Sequence, residues 1–375
     1  MKQIKNMKNI RKIFLICACL IIYVYYAAAM LDEKPIEEYD ISSGFGVDLY
    51  RDGAGTVKYS IPFSILVFKG ENRQYSMIKT GEAPTGAETR QNRQLKTDKQ
   101  FLIGSQKIML FSESLVRYGL KYNADIQFNN TKINDRGIIL VCEGRTEDIL
   151  RYKVKGYASS PEYIEGMIKN SMANDFFSRE YTILNMYVRL DTEGRNLVLP
   201  YMKISDKGLE ITGLALFKGD KMVNKVDVEE GKFMNMMRDD DLIGYLSIQK
   251  NSDEFMNFYG NTKKRVKCNK VKEGYEFEII IDIKGDVIAN TLYKEFNGKT
   301  KKELEETLSK DVEKKCSEFV NKMQNEYKLD CLELGMYAVA KYGRDTGVDW
   351  NEVVSNSVIK VKANVKVDKV GRGAY

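Results

Sequence analysis

The sequence predicts an α+β fold of more than one domain, in a protein that leaves the cytoplasm. Three observations lead there. A basic start runs into an uncharged stretch, strand and helix patterns then alternate without a repeat, and a long amphipathic helix near the end precedes a strand of alternating lysines. The expected architecture is a multi-domain, mixed α/β exported protein whose C-terminal domain packs the long helix on an antiparallel sheet. Four segments are expected: a basic and apolar leader over 1–30, an N-terminal α/β region over 31–203, a middle β-rich domain over 204–297, and a helix-plus-sheet domain over 298–375.

The leader carries Lys2, Lys5, Lys8, Arg11 and Lys12, then no charge from Ile13 to Met30, the pattern of an export or membrane-insertion signal. These five cations account for most of the net charge of +6, leaving the rest of the chain close to neutral. A near-neutral body with interspersed Lys and Glu argues against an electrostatic nucleic-acid surface, which needs a clustered basic face.

Along the body, "TVKYSIPFSILVF" (Thr56 to Phe68) and "RGIILVCEG" (Arg136 to Gly144) read as strands bounded by glycine and charge. "LFSESLVRYGL" is a short helix with Gly119 placed to end it. In "SSPEYIEGMIKN", Ser160 is the expected N-cap with Pro161 at the first helical position, and Tyr163, Ile164, Met167 and Ile168 share a face. "YEFEIIIDI" (Tyr275 to Ile283) alternates and then turns continuously apolar, as a strand entering a sheet core does, with a hairpin partner expected nearby. Thr300 and Glu303 fit a capping box, and Leu304, Leu308, Val312, Cys316, Phe319, Met323 and Tyr327 then recur at helical steps for about seven turns. From Ile359 to Val367 apolar residues alternate with lysines, predicting a strand with one wet face, its lysines guarding an edge.

The chain contains no histidine. That excludes Ser-His and Cys-His nucleophiles and His-ligated zinc, and no pH response between about 6 and 8 is expected from these side chains. Cys17 and Cys19 lie in the apolar run, while Cys142, Cys268, Cys316 and Cys331 are dispersed without CxxC spacing. Cys316 and Cys331 are the nearest pair, but Cys316 sits on the apolar stripe, which favours a buried free thiol. There is no GxxxxGK[ST] loop, and "GFG" at Gly44 to Gly46 lacks a third glycine opening a helix, so nucleotide binding has no support. No catalytic, cofactor or metal residues are assigned.

The order of short motifs adds an identity. "DEKPIEEYDISSGFGVDL" (Asp32 to Leu49), "GSQKIMLFSESLVRYGL" (Gly104 to Leu120) and "DRGIILVCEGRTEDIL" (Asp135 to Leu150) resemble the C subunits of spore germinant receptors. "GRNLVLPYMKI" (Gly194 to Ile204), "ITGLALFKGDKMV" (Ile211 to Val223), "YKLDCLELG" (Tyr327 to Gly335) and "DW" (Asp349, Trp350) keep the resemblance to the end. It implies a non-enzymatic subunit on the outer face of the spore inner membrane, acting with an A subunit and a polytopic B subunit in the response to small-molecule nutrients. Such subunits are usually lipoproteins, yet Met30 stands where the resemblance places the lipid-bearing cysteine. Cys19 is the remaining candidate, with just six uncharged residues between it and Lys12, fewer than the roughly 7 to 15 of a signal core.

Eighteen residues from Ile13 to Met30 would make a helix of roughly 27 Å, against a hydrocarbon core of about 30 Å. Tyr23, Tyr25 and Tyr26 suit an outer aromatic belt, while Ala27 and Ala29 also satisfy the signal-peptidase rule for a cut before Met30. The retained anchor is the preferred reading. The alternative function is an exported carboxylate-dependent glycan-cleaving enzyme or a small-ligand binder. Against it, the single tryptophan, Trp350, reads as a core residue, and the 23 tyrosines are spread along the chain.

Overall fold

The computed structural model describes residues 2–31, 35–69, 73–272, 274–293 and 297–371. Helix α1 (Lys2–Leu31) comes first, and its described apolar side chains between Ile13 and Tyr26 are nearly all exposed. Among the described residues no helix is long and apolar enough to cross a membrane. The side chains from Ala27 to Met30 fall outside that description.

The body begins with three long strands, β1 (Tyr39–Arg51), β2 (Val57–Lys69) and β3 (Arg73–Ala83), joined antiparallel. Helix α2 (Gly86–Gln94) is capped by Thr85 and leads to the short β4 (Gln100–Leu102) beside the start of β1. Then β5 (Ile108–Ser112), α3 (Glu113–Tyr118), α4 (Lys121–Phe128), β6 (Ile138–Cys142), α5 (Thr146–Arg151), α6 (Ser160–Asn174), α7 (Ile183–Asp191) and β7 (Val198–Ser205) alternate. Such helical crossovers return the chain in the same direction, so β1, β5, β6 and β7 run parallel. Strands β5 and β6 are buried on both faces and read as continuous apolar runs. Two antiparallel strands, β8 (Gly208–Lys218) and β9 (Lys221–Asp227), complete a nine-stranded sheet.

Helix α8 (Val228–Arg238), capped by Asp227, leads into the second sheet. Its Phe233, Met234, Met236 and Met237 are all buried, as are Asn235 and Arg238, so its second half lies inside the protein while Glu229 and Glu230 open the helix at the surface. Strands β10 (Ile243–Gln249), β11 (Phe255–Val271) and β12 (Gly274–Asn290) form an antiparallel meander, β11 being the hairpin partner expected for the 275–283 strand. The long α9 (Gly298–Lys322) then crosses over, continuing as a π turn over Met323–Tyr327 that ends at left-handed Lys328 (φ 48°). After α10 (Leu334–Tyr342) and α11 (Trp350–Ser355) comes β13 (Val358–Val370). The α+β class and the helix packed on a sheet are as predicted, with one difference in the sheet. It is antiparallel only through β12; β13 joins parallel, because the connection is a helical crossover and not a hairpin.

Two caps are displaced from their predicted residues. Asn297 is the N-cap of α9, accepting from the backbone N–H of Lys299 (3.0 Å) and Thr300 (3.1 Å), while Thr300 Oγ1 accepts from Asn297 N (2.7 Å). Thr300 is therefore the far corner of the capping box. Helix α6 begins at Ser160 with Ser159 before it, and the Ser160 hydroxyl donates to Ile149 O (2.7 Å), tying α6 to α5.

Strand β13 is an edge strand, yet its outward N–H groups are not bare. Glu313 accepts from Ala363 N, Ser309 from Val365 N and Glu305 from Val367 N, each at 2.9 Å. These residues recur every four along α9, so one row of a helix meets one row of a strand. The predicted lysines lie on the wet face, where Lys362 reaches Glu278 (2.6 Å) across the strands. One apolar core lies between α5, α6, α8 and α9 and continues from the first sheet into the second. A smaller one covers the first sheet's other face under α3, α4 and α7.

Candidate functional site

Of the two residues weighed for lipidation, Cys19 is exposed on α1; Met30 lies in the same helix, and its side chain falls outside the described residues. Cys142, Cys268, Cys316 and Cys331 are free and buried. Burial pushes the Cys316 and Cys331 thiols far up, which leaves them inert. Among the described residues no cluster of Cys, Asp and Glu suits a metal ion.

The motifs "GRN" and "DCLELG" come together in space. Glu333 lies buried in left-handed backbone (φ 56°) just before α10. Three guanidinium groups converge on its carboxylate: Arg189 Nε of α7 (2.7 Å), Arg238 Nη2 at the end of α8 (2.6 Å), and Arg195 Nη2 before β7 (2.6 Å). Arg238 also donates to Cys331 O (2.6 Å) and Asn196 O (2.8 Å). Burial alone would raise the Glu333 carboxyl; Arg238, Arg189 and Arg195 outweigh it and hold it at about 2.

The neighbouring residues extend the clasp. Asn196 donates to Asp330 O (3.1 Å) and Asn351 Oδ1 (2.6 Å). The Asp330 carboxylate accepts from Gly335 N (2.7 Å) and Leu334 N (3.0 Å) at the start of α10, and burial pushes it up to about 6 despite them. Glu193 accepts from Asp345 N (2.7 Å) and Trp350 Nε1 (2.9 Å), and also bonds the Thr346 hydroxyl. Between these contacts the backbones nearly touch: a Cβ on Gly194, at φ 74°, would lie 2.5 Å from the carbonyl carbon of Gly335. Arg189 Nη1 and Asp239 Oδ2 lie buried without a hydrogen-bond partner, so the network is tight but not fully satisfied. The arrangement is a mechanical junction holding the segment Glu193–Asn196 against the segments around Asp330 and Trp350.

An open cleft of about 670 Å³ lies at the C-terminal ends of the parallel strands, lined in part by Asp48, Tyr50, Arg51, Glu82, Tyr118 and Arg145. Asp48 is already taken, accepting from Thr146 N (2.8 Å) and Thr146 Oγ1 (2.9 Å). Beside the cleft, Tyr201 donates to Glu113 and accepts from Lys225 Nζ (3.1 Å). Despite its burial, Glu113 is held below the usual range by Tyr201, Arg117 and Lys225, opposite in direction to a glycosidase general acid.

Sequence reasoning named the clasp motifs but did not pair them. The available signal was polar residues set between apolar ones, as in "DCLELG" and in Arg238 after Met236 and Met237.

The comparisons agree with this architecture. Residues 32–204 match the model for the spore germination protein N-terminal domain, and residues 212–371 match the model described as spore germination B3/GerAC-like, C-terminal. The chain is 22% identical over 351 residues to the spore germination protein GerQC of Bacillus cereus, covering 90% of this chain and 94% of that one. It shares the fold of the GerBC protein in its crystal structure, with a TM-score of 0.54 and 14% identity over 86% of this chain and 97% of that one. With both domains matched in order over almost the whole body, the chain belongs to the GerAC-like family, the C subunits of spore germinant receptors.

Proposed function

We propose that the chain is a non-enzymatic subunit that works beside an A and a polytopic B subunit on the outer face of the spore inner membrane, in the response to small-molecule nutrients. The observation that carries this reading is the pair of family domains standing in order directly behind an exposed apolar helix. The clasp supports it too, since a body held as one piece suits a scaffold. Crosslinking in intact spores followed by mass spectrometry is the test. Recovery of two sister receptor subunits is expected; an abundant, intact chain crosslinked to neither rejects the proposal.

The tether is the helix itself, retained and not lipidated. The expected N-terminus is that of the unprocessed chain, with detergent required for extraction. A mature N-terminus at Met30 would show cleavage, and a diacylglyceryl mass on Cys19 would show lipidation. Met30→Cys is expected to gain partial lipid labelling that the parent lacks, partial because "AAA" is a poor lipobox.

A further inference from the structure

We infer that the end of the first sheet at which β1 enters is a docking face for the phospholipid surface. The inference rests on the tether reading above. Eight Cα steps separate Leu31, the last residue of α1, from Tyr39, the first of β1, which limits their separation to about 28 Å. Strand β1, with 13 residues, is about 43 Å long. The end carrying Tyr39 is thus held close to wherever α1 leaves the membrane, and the far end, the turn from Asp52 to Thr56, is held away.

Strand register and loop contacts show what else gathers at the near end. Ile41 lies opposite Leu66, so β2 finishes there with Phe68. Tyr39 pairs with Gln100, and Thr97 Oγ1 donates to the Asp40 carboxylate (2.9 Å), which brings the end of α2 and Leu95 to the same place. Gly44 lies opposite Ile108 and Ile108 opposite Ile138, so β5 and β6 also start there. Asn134 donates to Gln106 O (3.0 Å), joining the loop after Phe128, and Leu184 N donates to Asp135 O (2.9 Å), placing the start of α7.

The side chains at this end are unusual for a soluble surface. Leu95 is 88% exposed, Phe128 67%, Phe68 63%, Ile36 60% and Leu184 49%. Single exposed apolar residues need no explanation, but five from separate elements at one end of a sheet mark a surface that is covered in use. Lys96, Lys132 and Arg136 stand exposed among them, with exposed Asp98 and Asp135 in the same loops and exposed Glu38 beside Tyr39. Apolar tips with interspersed cations fit the headgroup layer, where the tips enter the acyl boundary and the cations meet phosphate. Because α1 keeps the body at the membrane, even weak insertion is favoured by the high local concentration of lipid.

The test uses the full chain with Cys17→Ser and Cys19→Ser, reconstituted in phosphatidylcholine vesicles containing phosphatidylglycerol. An environment-sensitive fluorophore is placed on Leu95→Cys, on Phe128→Cys, or on Ala54→Cys at the far turn. Blue-shifted emission and severalfold stronger quenching by spin-labelled lipid are expected at 95 and 128, and neither at 54. Flotation of the protein with the vesicles while 95 and 128 behave as 54 does would overturn the docking face and leave the tether standing. Loss of flotation removes the tether, and the docking face with it. Shielding of 95 and 128 only when sister subunits are added would assign the face to a protein and also overturn the inference.

Discussion

Around Glu333 one carboxylate answers three arginines, and all but Arg195 are almost fully buried. Removing it leaves the buried Arg189 and Arg238 with only Glu180 and Asp239 as counter-charges, and breaking comparable buried pairs costs about 3–5 kcal/mol. Glu333→Ala is expected to lower the unfolding free energy by up to that amount, read as a lower denaturant midpoint at unchanged slope, with Glu333→Gln milder because it keeps the shape and some hydrogen bonds. Acid acts through the same group. Its folded pKa of about 2 lies below the unfolded value of about 4.3, so its stabilisation is present above pH 4.3 and is lost as pH falls toward 2. Asp330 works in the opposite sense. Its pKa of about 6 lies above the unfolded value of about 3.9, so the folded state holds an extra proton between them and stability falls as pH rises from 4 to 6. Denaturation curves for Asp330→Asn should lose that slope; an unchanged slope would assign it elsewhere. Composition excluded a histidine switch, and burial instead moves this aspartate up to about 6, a shift that depends on surroundings no residue count contains.

The elements divide by how local their causes are. Helix α9 and strand β13 were legible because a stripe and an alternation are written in consecutive residues, as were the burial of Trp350 and the end of α3 at Gly119. Strand β1 was not read as a strand. Its "DISSGFGVDLY" places Asp40, Ser42, Ser43 and Asp48 in buried positions; Asp40, Ser43 and Asp48 bond to neighbours that lie far along the chain, and Ser42 to Gly44 O. The sealing of β13 was equally hidden, since Glu305, Ser309 and Glu313 look like solvated helix positions until the strand is beside them. Replacing Glu313 by Ala leaves the N–H of Ala363 without a partner, for about 1–3 kcal/mol. Hydrogen exchange should accelerate at Ala363 in that variant and spread to Val365 in Ser309→Ala, with β11 unchanged.

In the whole molecule, α8 and the continuous core join the sheets, and the clasp, anchored by Arg238 at the end of α8, ties them again. Arg195 and Glu333 stand 138 residues apart in sequence, a pairing that a single chain without relatives does not announce. One cooperative unfolding transition is expected for the body, reported alike by both sheets in hydrogen exchange. In Glu333→Ala the second sheet should open at lower denaturant than the first; coincident opening would place the coupling in the shared core alone. The row of α9 side chains on β13 has another outcome, seen when many copies are crowded together. A strand-by-strand polymer needs two open ends on every unit, and α9 acts as a chain stopper at one of them. At the other end, β10 already has Ile243 and Gly244 engaged by Phe176 and Asp175, so density alone does not turn this sheet into a fibre.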